Sequence, residues 1–393
     1  MLWGAPIPEN VGSPVVVQAL LERALTADAG NAALHAKLAY LHVDRKDYAA
    51  AAASFEKALR LDSAQAHPRL VLARCYNYLG RHDCAAAVLE PVESASYERG
   101  RALMALGDAG AAEREFRAVL ADNPDDAAAC RLLSRMLRKS GRISDLVALC
   151  EDLAARGAAN AQLLFNWGSA LAHSGDLERA RRLMVDPRRI VSVDLPAPDG
   201  FPDIAAFNAA LAEEILGNPN KVSEFPVEDE ANRGSRRVDN LFTGRRPELI
   251  EQLLSAFQRA VAAYVPEPLG EFDPWPKVRP AAARLRPWGL IQRGGEYEEA
   301  HIHPTGWLSG VYYVQVPSVV SDAGAGPGCI EFGPPAAIAE AFPDLAPPCR
   351  YIPREGLLLL SPSHYQHRTI PFVADELRIS VAFDVVPDGT AQT

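Results

Sequence analysis

His301-Ile302-His303-Pro304-Thr305-Gly306-Trp307-Leu308-Ser309-Gly310-Val311-Tyr312-Tyr313-Val314 decides how the chain is read. Two histidines stand two residues apart, directly before an apolar, β-prone run. In a strand, residues i and i+2 point to one face. Both imidazoles can therefore meet one metal ion. Taken alone, such a pair is equally consistent with polar residues on an exposed turn, so the surrounding chain has to decide.

Downstream, a third imidazole, His367, opens another β-prone run, with Arg378 eleven residues further on and Ser380 after it. From Ala281 onward, short β-rich stretches alternate with Gly and Pro clusters. They are Ala283–Gln292, Leu308–Val316, Cys329–Phe332, Cys349–Ile352, Gly356–Ser361, His367–Phe372 and Leu377–Val385. This many short strands with few helices between them predicts a sandwich or jelly roll. Strand alternation puts Tyr312 and Tyr313 on opposite faces, so at most one lines a site. Gln292, on the strand before the motif, can face the same pocket. His364 reads as a surface or substrate-side residue rather than a ligand. Gly294-Gly295 lacks the context of a phosphate loop, and the GxSxG of a nucleophile elbow is absent.

Upstream, Val185–Pro202 holds Pro187, Pro196, Pro198 and Pro202, a density that ends helices. A domain boundary is expected near residue 188, giving domains 1–188 and 189–393. Asp203–Leu216 and Pro247–Val265 read as helices covering the back of the sheet. Residues 217–246 read as loop with a short extended piece. Within them, Arg233-Gly234-Ser235-Arg236-Arg237 reads as a solvated basic loop.

Residues 32–186 repeat with a period of about 34. Small residues recur at the eighth and twentieth places and a large apolar one at the twenty-fourth, as in Ala39, Ala51 and Phe55, or Gly100, Ala112 and Phe116. The second unit is short, and the register restarts near Glu93. Gly80, Gly107, Gly141 and Gly175 fall where a helix-to-helix turn belongs, and Leu20–Asp28 reads as part of a truncated repeat. The pattern resembles the tetratricopeptide repeat. Small residues let antiparallel helices approach, and stacked repeats bury one continuous core. The resemblance implies a concave surface that binds a peptide or protein. The histidines His35, His42, His67, His82 and His173 share no spacing and read as surface or groove residues.

The chain has 393 residues, is 48% hydrophobic and 23% charged, and carries a net charge of −10. These values fit a globular protein of two or three domains and argue against a nucleic-acid partner. The six cysteines form no CxxC pair and read as thiols of a reducing compartment. Neither a signal peptide nor a membrane span is evident. A cytoplasmic location is expected, with no membrane partner.

The words HIHPTGWLSGVYYV, IEFGPP, GLLLLSPSHYQHRTIPF and LRISVAFD resemble a family of 2-oxoglutarate–Fe(II) oxygenases often found behind tetratricopeptide repeats. The resemblance covers roughly residues 200–387. It implies a double-stranded β-helix, Fe(II) as metal, and 2-oxoglutarate and O2 as cosubstrates. It implies that Arg378 grips the far carboxylate of 2-oxoglutarate with a two-pronged contact while Ser380 adds a hydroxyl donor. Tyr313 and Gln292 join these as cosubstrate-side candidates, and His301, His303, His367 and Arg378 form the catalytic set.

The chain departs from the usual HxD/E pattern, because His303 stands where the acid belongs. His303 can be a third imidazole ligand; it can stand behind a two-His site completed by water; or Glu298, Glu299 or Glu331 can supply a carboxylate. The favoured metal set is His301, His303 and His367. Three neutral imidazoles bring no negative charge, so zinc or nickel can compete for the site. The expected activity is hydroxylation of a peptide or protein recruited by the repeats. The alternatives are a three-His cupin-type dioxygenase that does not use 2-oxoglutarate, and a non-catalytic repeat scaffold.

Overall fold

The computed structural model describes residues 2–3, 14–92, 94, 96–222, 231–322 and 326–388. Contacts group the chain into two compact units, Asn10–Gly141 and Met1–Glu9 with Arg142–Thr393.

The first unit is helical. Its elements are α1 (Pro14–Ala27), α2 (Ala32–Asp44), α3 (Tyr48–Leu61), α4 (Ala66–Tyr78), α5 (His82–Leu89), α6 (Tyr97–Ala105), α7 (Ala109–Asp122) and α8 (Ala127–Lys139). Asn31, Asp47, Ser96, Asp108 and Asp126 each accept a hydrogen bond from the backbone N–H three residues on. These caps satisfy donors that the first helical turn leaves free. The periodic small residues do what the repeat pattern requires. A Cβ on Gly100 would lie 2.6 Å from the Phe116 ring, so only glycine lets α6 and α7 close to that distance. Ala39, Ala51, Phe55, Ala73, Tyr76 and Ala85 form one buried cluster through the first repeats. The short second repeat is explained by α5, which has 8 residues against 14 in α3 and α7. The predicted turn glycines all sit at positive φ: Gly80 at 71°, Gly107 at 87°, Gly141 at 71° and Gly175 at 89°. The first repeat makes the same turn with Lys46, at φ 59°.

The second unit opens with three more helices, α9 (Ile143–Ala155), α10 (Ala161–Ser174) and α11 (Leu177–Met184). The helical pattern thus ends near the proline-rich link, while its last helices group with the sheet. The strands are β1 (Leu2–Trp3), β2 (Val191–Asp194), β3 (Lys221–Val222), β4 (Asn232–Arg233), β5 (Arg236–Val238), β6 (Ala282–Gln292), β7 (Tyr297–Glu298), β8 (Leu308–Gln315), β9 (Ile330–Phe332), β10 (Cys349–Tyr351), β11 (Leu357–Pro362), β12 (His367–Thr369) and β13 (Arg378–Pro387). All seven expected β runs are strands. The major sheet has eight strands, with the order β2-β11-β8-β13-β6-β5-β3 and β1 beside β6. A minor sheet runs β10-β9-β12, and β4 pairs with β7. This is the jelly-roll, or double-stranded β-helix, arrangement.

Two elements differ from expectation. The proline-rich link is not all loop, because Val191–Asp194 adds to the sheet edge along β11. Nor is the basic run a solvated loop. Arg236–Val238 pairs with β6, Arg233 forms an ion pair with Glu299 at 2.6 Å, and the Arg237 guanidinium lies 4.9 Å from the Trp288 ring centroid. Pairing with β6 and a π face decides the conformation where charge alone suggested solvent.

The two predicted covering helices are α12 (Ile204–Gly217) and α13 (Pro247–Ala263). They lie on the back of the major sheet. Phe257 of α13 stacks on Phe383 of β13 with ring centroids 4.4 Å apart. The Tyr312 hydroxyl donates to Asn208 of α12 at 2.7 Å. Among the described residues no helix is long and apolar enough to cross a membrane.

Candidate metal centre

Three strand-end positions converge. His301 and His367 form an isolated antiparallel bridge, each backbone N–H donating to the other's carbonyl at 3.0 Å. The His303 N–H donates to the Ser363 carbonyl at 2.9 Å. The result is a ring of imidazoles with centroids 4.5 to 5.0 Å apart. One ligand atom from each lies within 4.8 Å of the others. Among the described residues no other such group of His, Cys, Asp or Glu exists.

The far side of each ring fixes what faces inward. His301 Nδ1 meets the Glu299 carbonyl at 2.7 Å, His367 Nδ1 the Tyr365 carbonyl at 3.1 Å, and His303 Nδ1 the Asp384 carboxylate at 2.6 Å. Each of these partners can only accept, so each Nδ1 carries the proton. In neutral rings the three Nε2 atoms are then lone pairs. The His301 and His303 Nε2 atoms stand 3.2 Å apart, and with both ring protons on Nδ1 there is none left to bridge them. Two lone pairs facing each other at this distance suit a shared metal ion.

Burial reinforces the neutral state. It drives the His301 pKa down to about 4, with His303 adding to the effect. It drives His367 well below the ordinary histidine value, with His301 and His303 again contributing. Three imidazoles with Nε2 converging are a chemically competent donor set for Fe(II), and equally for zinc. The residues therefore fit a metal ion.

Asp384 is the residue that motif reading missed. Burial alone would raise its pKa, but the His303 imidazole and the Ser309 hydroxyl hold it below the usual carboxylate range. Ser309 Oγ donates to Asp384 and lies 2.7 Å from Ser363 Oγ. The signal was present in strand alternation, since residues 378, 380, 382 and 384 share one face of β13.

That face carries the rest of the site. Arg378 is directly opposite Gln292 on β6, and Ser380 is opposite Tyr313 on β8. All four are buried. The Arg378 guanidinium lies 5.2 Å from the Tyr313 ring centroid and donates one N–H to the Gly328 carbonyl at 3.1 Å, while its Nε has no partner. Burial pushes the Tyr313 hydroxyl up, opposed by Arg378. Gln292 donates to Ser235 at 3.0 Å. Between this group and the histidines lie Trp288, Leu290 and Ala382, an apolar cluster. Trp288 stacks on His303 with centroids 5.5 Å apart.

The carboxylates considered as ligands lie elsewhere. Glu299 pairs with Arg233, and Glu331 is clamped by Arg350 and Arg368, each at 2.7 Å. Glu298 is outside the imidazole cluster, and burial pushes its carboxyl up to about 7. His364 is not a surface residue. It is 1% exposed, beside Trp275 and Tyr365, and neither ring nitrogen has a hydrogen-bond partner. Burial holds its pKa well below the ordinary value, with Arg189 adding to the effect.

Residues 286–384 match the family described as “Putative 2OG-Fe(II) oxygenase”, and residues 42–105 match the tetratricopeptide repeat family. The two matches lie in separate stretches of the chain. No curated protein matches it. Among solved structures, YrrB, a TPR protein with an unusual peptide-binding site, is 20% identical over 42% of this chain and 88% of its own, with a TM-score of 0.33. PilW, a type IV pilus biogenesis factor, is 20% identical over 44% and 83%, with a TM-score of 0.37. A Pseudomonas putida prolyl-4-hydroxylase is 15% identical over 50% and 92%, with a TM-score of 0.34.

Proposed function

We propose that the protein is an Fe(II)- and 2-oxoglutarate-dependent oxygenase that hydroxylates a peptide or protein recruited by its repeat unit. The observation that carries this reading is the convergence of three Nε2 lone pairs, each aimed by an acceptor behind its ring, on the sheet face that also holds Arg378. His301, His303 and His367 would hold Fe(II). When bound with 2-oxoglutarate and O2, the metal would supply the oxidising power to place one oxygen atom in a substrate C–H bond and the other in succinate, with release of CO2.

The protein's own groups do the positioning. Asp384 keeps the His303 ring in one tautomer and one orientation. Arg378, buried and short of one acceptor, offers a charge-assisted fork to a carboxylate. Ser380, Tyr313 and Gln292 surround that fork with hydroxyl and amide groups. Trp288, Leu290 and Ala382 keep water from the space between, which strengthens every polar contact made there.

A second reading is a three-His metal enzyme that does not use 2-oxoglutarate. It is favoured by the absence of a carboxylate from the ligand cluster among the described residues. Anaerobic titration with Fe(II) and 2-oxoglutarate separates the two. The first reading expects a visible charge-transfer band, lost in Arg378→Ala, and succinate release on admitting air. A band and 2-oxoglutarate affinity that survive Arg378→Ala favour the second. No band and no succinate in the unaltered protein rule out the first.

A further inference from the structure

The repeat unit distributes its charge unevenly. The first helices of successive pairs, α4, α6 and α8, carry eight basic side chains and one acid, Glu98. The second helices α3 and α7 balance theirs, with pairs such as Arg60–Glu56 and Arg117–Glu113 four residues apart. In a chain of net charge −10, this basic stripe runs against the overall balance.

The stripe is continuous and organised. Arg74, Arg101 and Arg135 occupy the same place in three repeats, one after the small residue at the eighth position (Ala73, Gly100, Ser134). Buried Glu98 accepts from Arg74 Nε at 3.2 Å, from Arg101 Nη1 at 3.3 Å and from Asn77 Nδ2 at 2.9 Å. Its carboxylate is saturated from below, and the guanidinium donors it does not use remain available. Arg101 lies 5.1 Å from the Tyr78 ring centroid and 5.9 Å from that of Tyr97. Tyr97 in turn lies in the field of Arg101 and Arg131. Arg135 follows Arg131 by one helical turn on the same face of α8. Arg131 and Arg135 are exposed, and neither has a carboxylate partner among the described residues.

We propose that this stripe binds an acidic peptide segment. Packed helices stand about 8–10 Å apart, and an extended chain advances about 3.3 Å per residue. Carboxylates at every third residue of an extended peptide therefore match arginines on successive first helices. Guanidinium forks suit carboxylates, and Tyr78, stacked on Tyr48, steadies the Arg101 guanidinium beside its ring. Glu98 holds Arg74 and Arg101 in place before any ligand arrives, which lowers the ordering cost of binding. A long polyanion such as single-stranded nucleic acid is disfavoured by the field of the remaining acidic chain.

The inference deepens the reading of the repeats as the recruiting module, but it is measured without iron or 2-oxoglutarate. Oxygenase chemistry can therefore fail without touching it. The experiment is fluorescence anisotropy of the full-length chain with a dye-labelled peptide bearing glutamate at every third position. The controls are the same peptide with lysine in place of glutamate, and oligothymidylate of equal charge. The glutamate peptide is expected to bind saturably and to weaken as salt shortens the screening length below its ~8 Å physiological value. Arg131→Glu/Arg135→Glu, a change of two exposed side chains, is expected to weaken binding at least about tenfold. Circular dichroism checks that the double variant is folded, and Arg135→Gln alone provides a milder second variant, expected to weaken binding in the same direction. Absence of saturable binding, equal binding by both arginine variants, or equal or tighter binding of oligothymidylate overturns the proposal.

Discussion

The Asp384 carboxylate accepts the Nδ1 proton of His303 at 2.6 Å and thereby turns a residue that breaks the expected HxD/E pattern into an aimed imidazole. The negative charge that a ligand carboxylate would bring sits behind the ring instead, one imidazole away from the converging Nε2 atoms. A carboxylate behind an imidazole raises its basicity and fixes its tautomer.

Asp384→Asn tests this relationship. The amide is nearly isosteric, but its NH2 can turn toward Nδ1 and force the proton onto Nε2. Metal affinity is expected to fall roughly 10–100-fold, read as the dissociation constant in an optical Co(II) titration. Binding as tight as in the unaltered protein would mean that His303 does not touch the metal.

Metal-free protein should lose stability in acid. His301, with its pKa driven to about 4, and His367 and His364, both pushed well below normal, refuse protons that the unfolded chain accepts near pH 6.5. Their contribution is complete above that value and is lost as pH falls toward 4. Glu298, raised to about 7, acts in the opposite sense: its contribution is present at low pH and is lost as pH rises from about 4.3 through 7. One group opposes three, so the net slope follows the histidines. Urea denaturation of the metal-free chain is expected to give a lower midpoint at pH 5 than at pH 7; a flat or inverted profile would contradict the burial described.

Much of this was legible in the chain. Short β-rich runs between Gly and Pro clusters located all seven core strands, and spacing brought out the three histidines. What escaped had tertiary causes. The strand at Val191–Asp194 exists because β11 offers it an edge, and Pro187 and Pro196 on either side disguised it. Arg237 looked like a solvated charge until Trp288 gave it a π face. Asp384 could have been found, because it lies six residues after Arg378 on an alternating strand, but the motif drew attention to a carboxylate at position 303 instead.

The repeat turns offer a matched pair of tests. Lys46 makes at φ 59° the turn that Gly107 makes at 87°. A side chain at positive φ costs about 1–2 kcal/mol, partly offset by the freedom glycine has in the unfolded chain. Gly107→Ala, with nothing within 4 Å of the new Cβ, should destabilise the repeat unit by about 1 kcal/mol through backbone strain alone. Lys46→Gly should leave it unchanged or raise it by up to about 1 kcal/mol. Denaturant midpoints moving in the same direction for both would remove strain as the cause.

Gly310, in the middle of the opening motif, is held by a different constraint. Its φ is ordinary, but a Cβ there would lie 2.4 Å from the Phe383 ring and 3.1 Å from Leu360. Phe383 cannot move away, because it stacks on Phe257 of α13. The glycine thus sets how closely α13 and the back of β13 approach β8, the strand that follows the histidine pair. Gly310→Ala is expected to cost about 1–3 kcal/mol by overpacking. Gly310→Ala/Phe383→Leu, which removes the opposing ring, should cost less than the sum of the two single changes. Thermal denaturation of the three variants measures this coupling, and strictly additive shifts would show that Gly310 and Phe383 do not constrain each other.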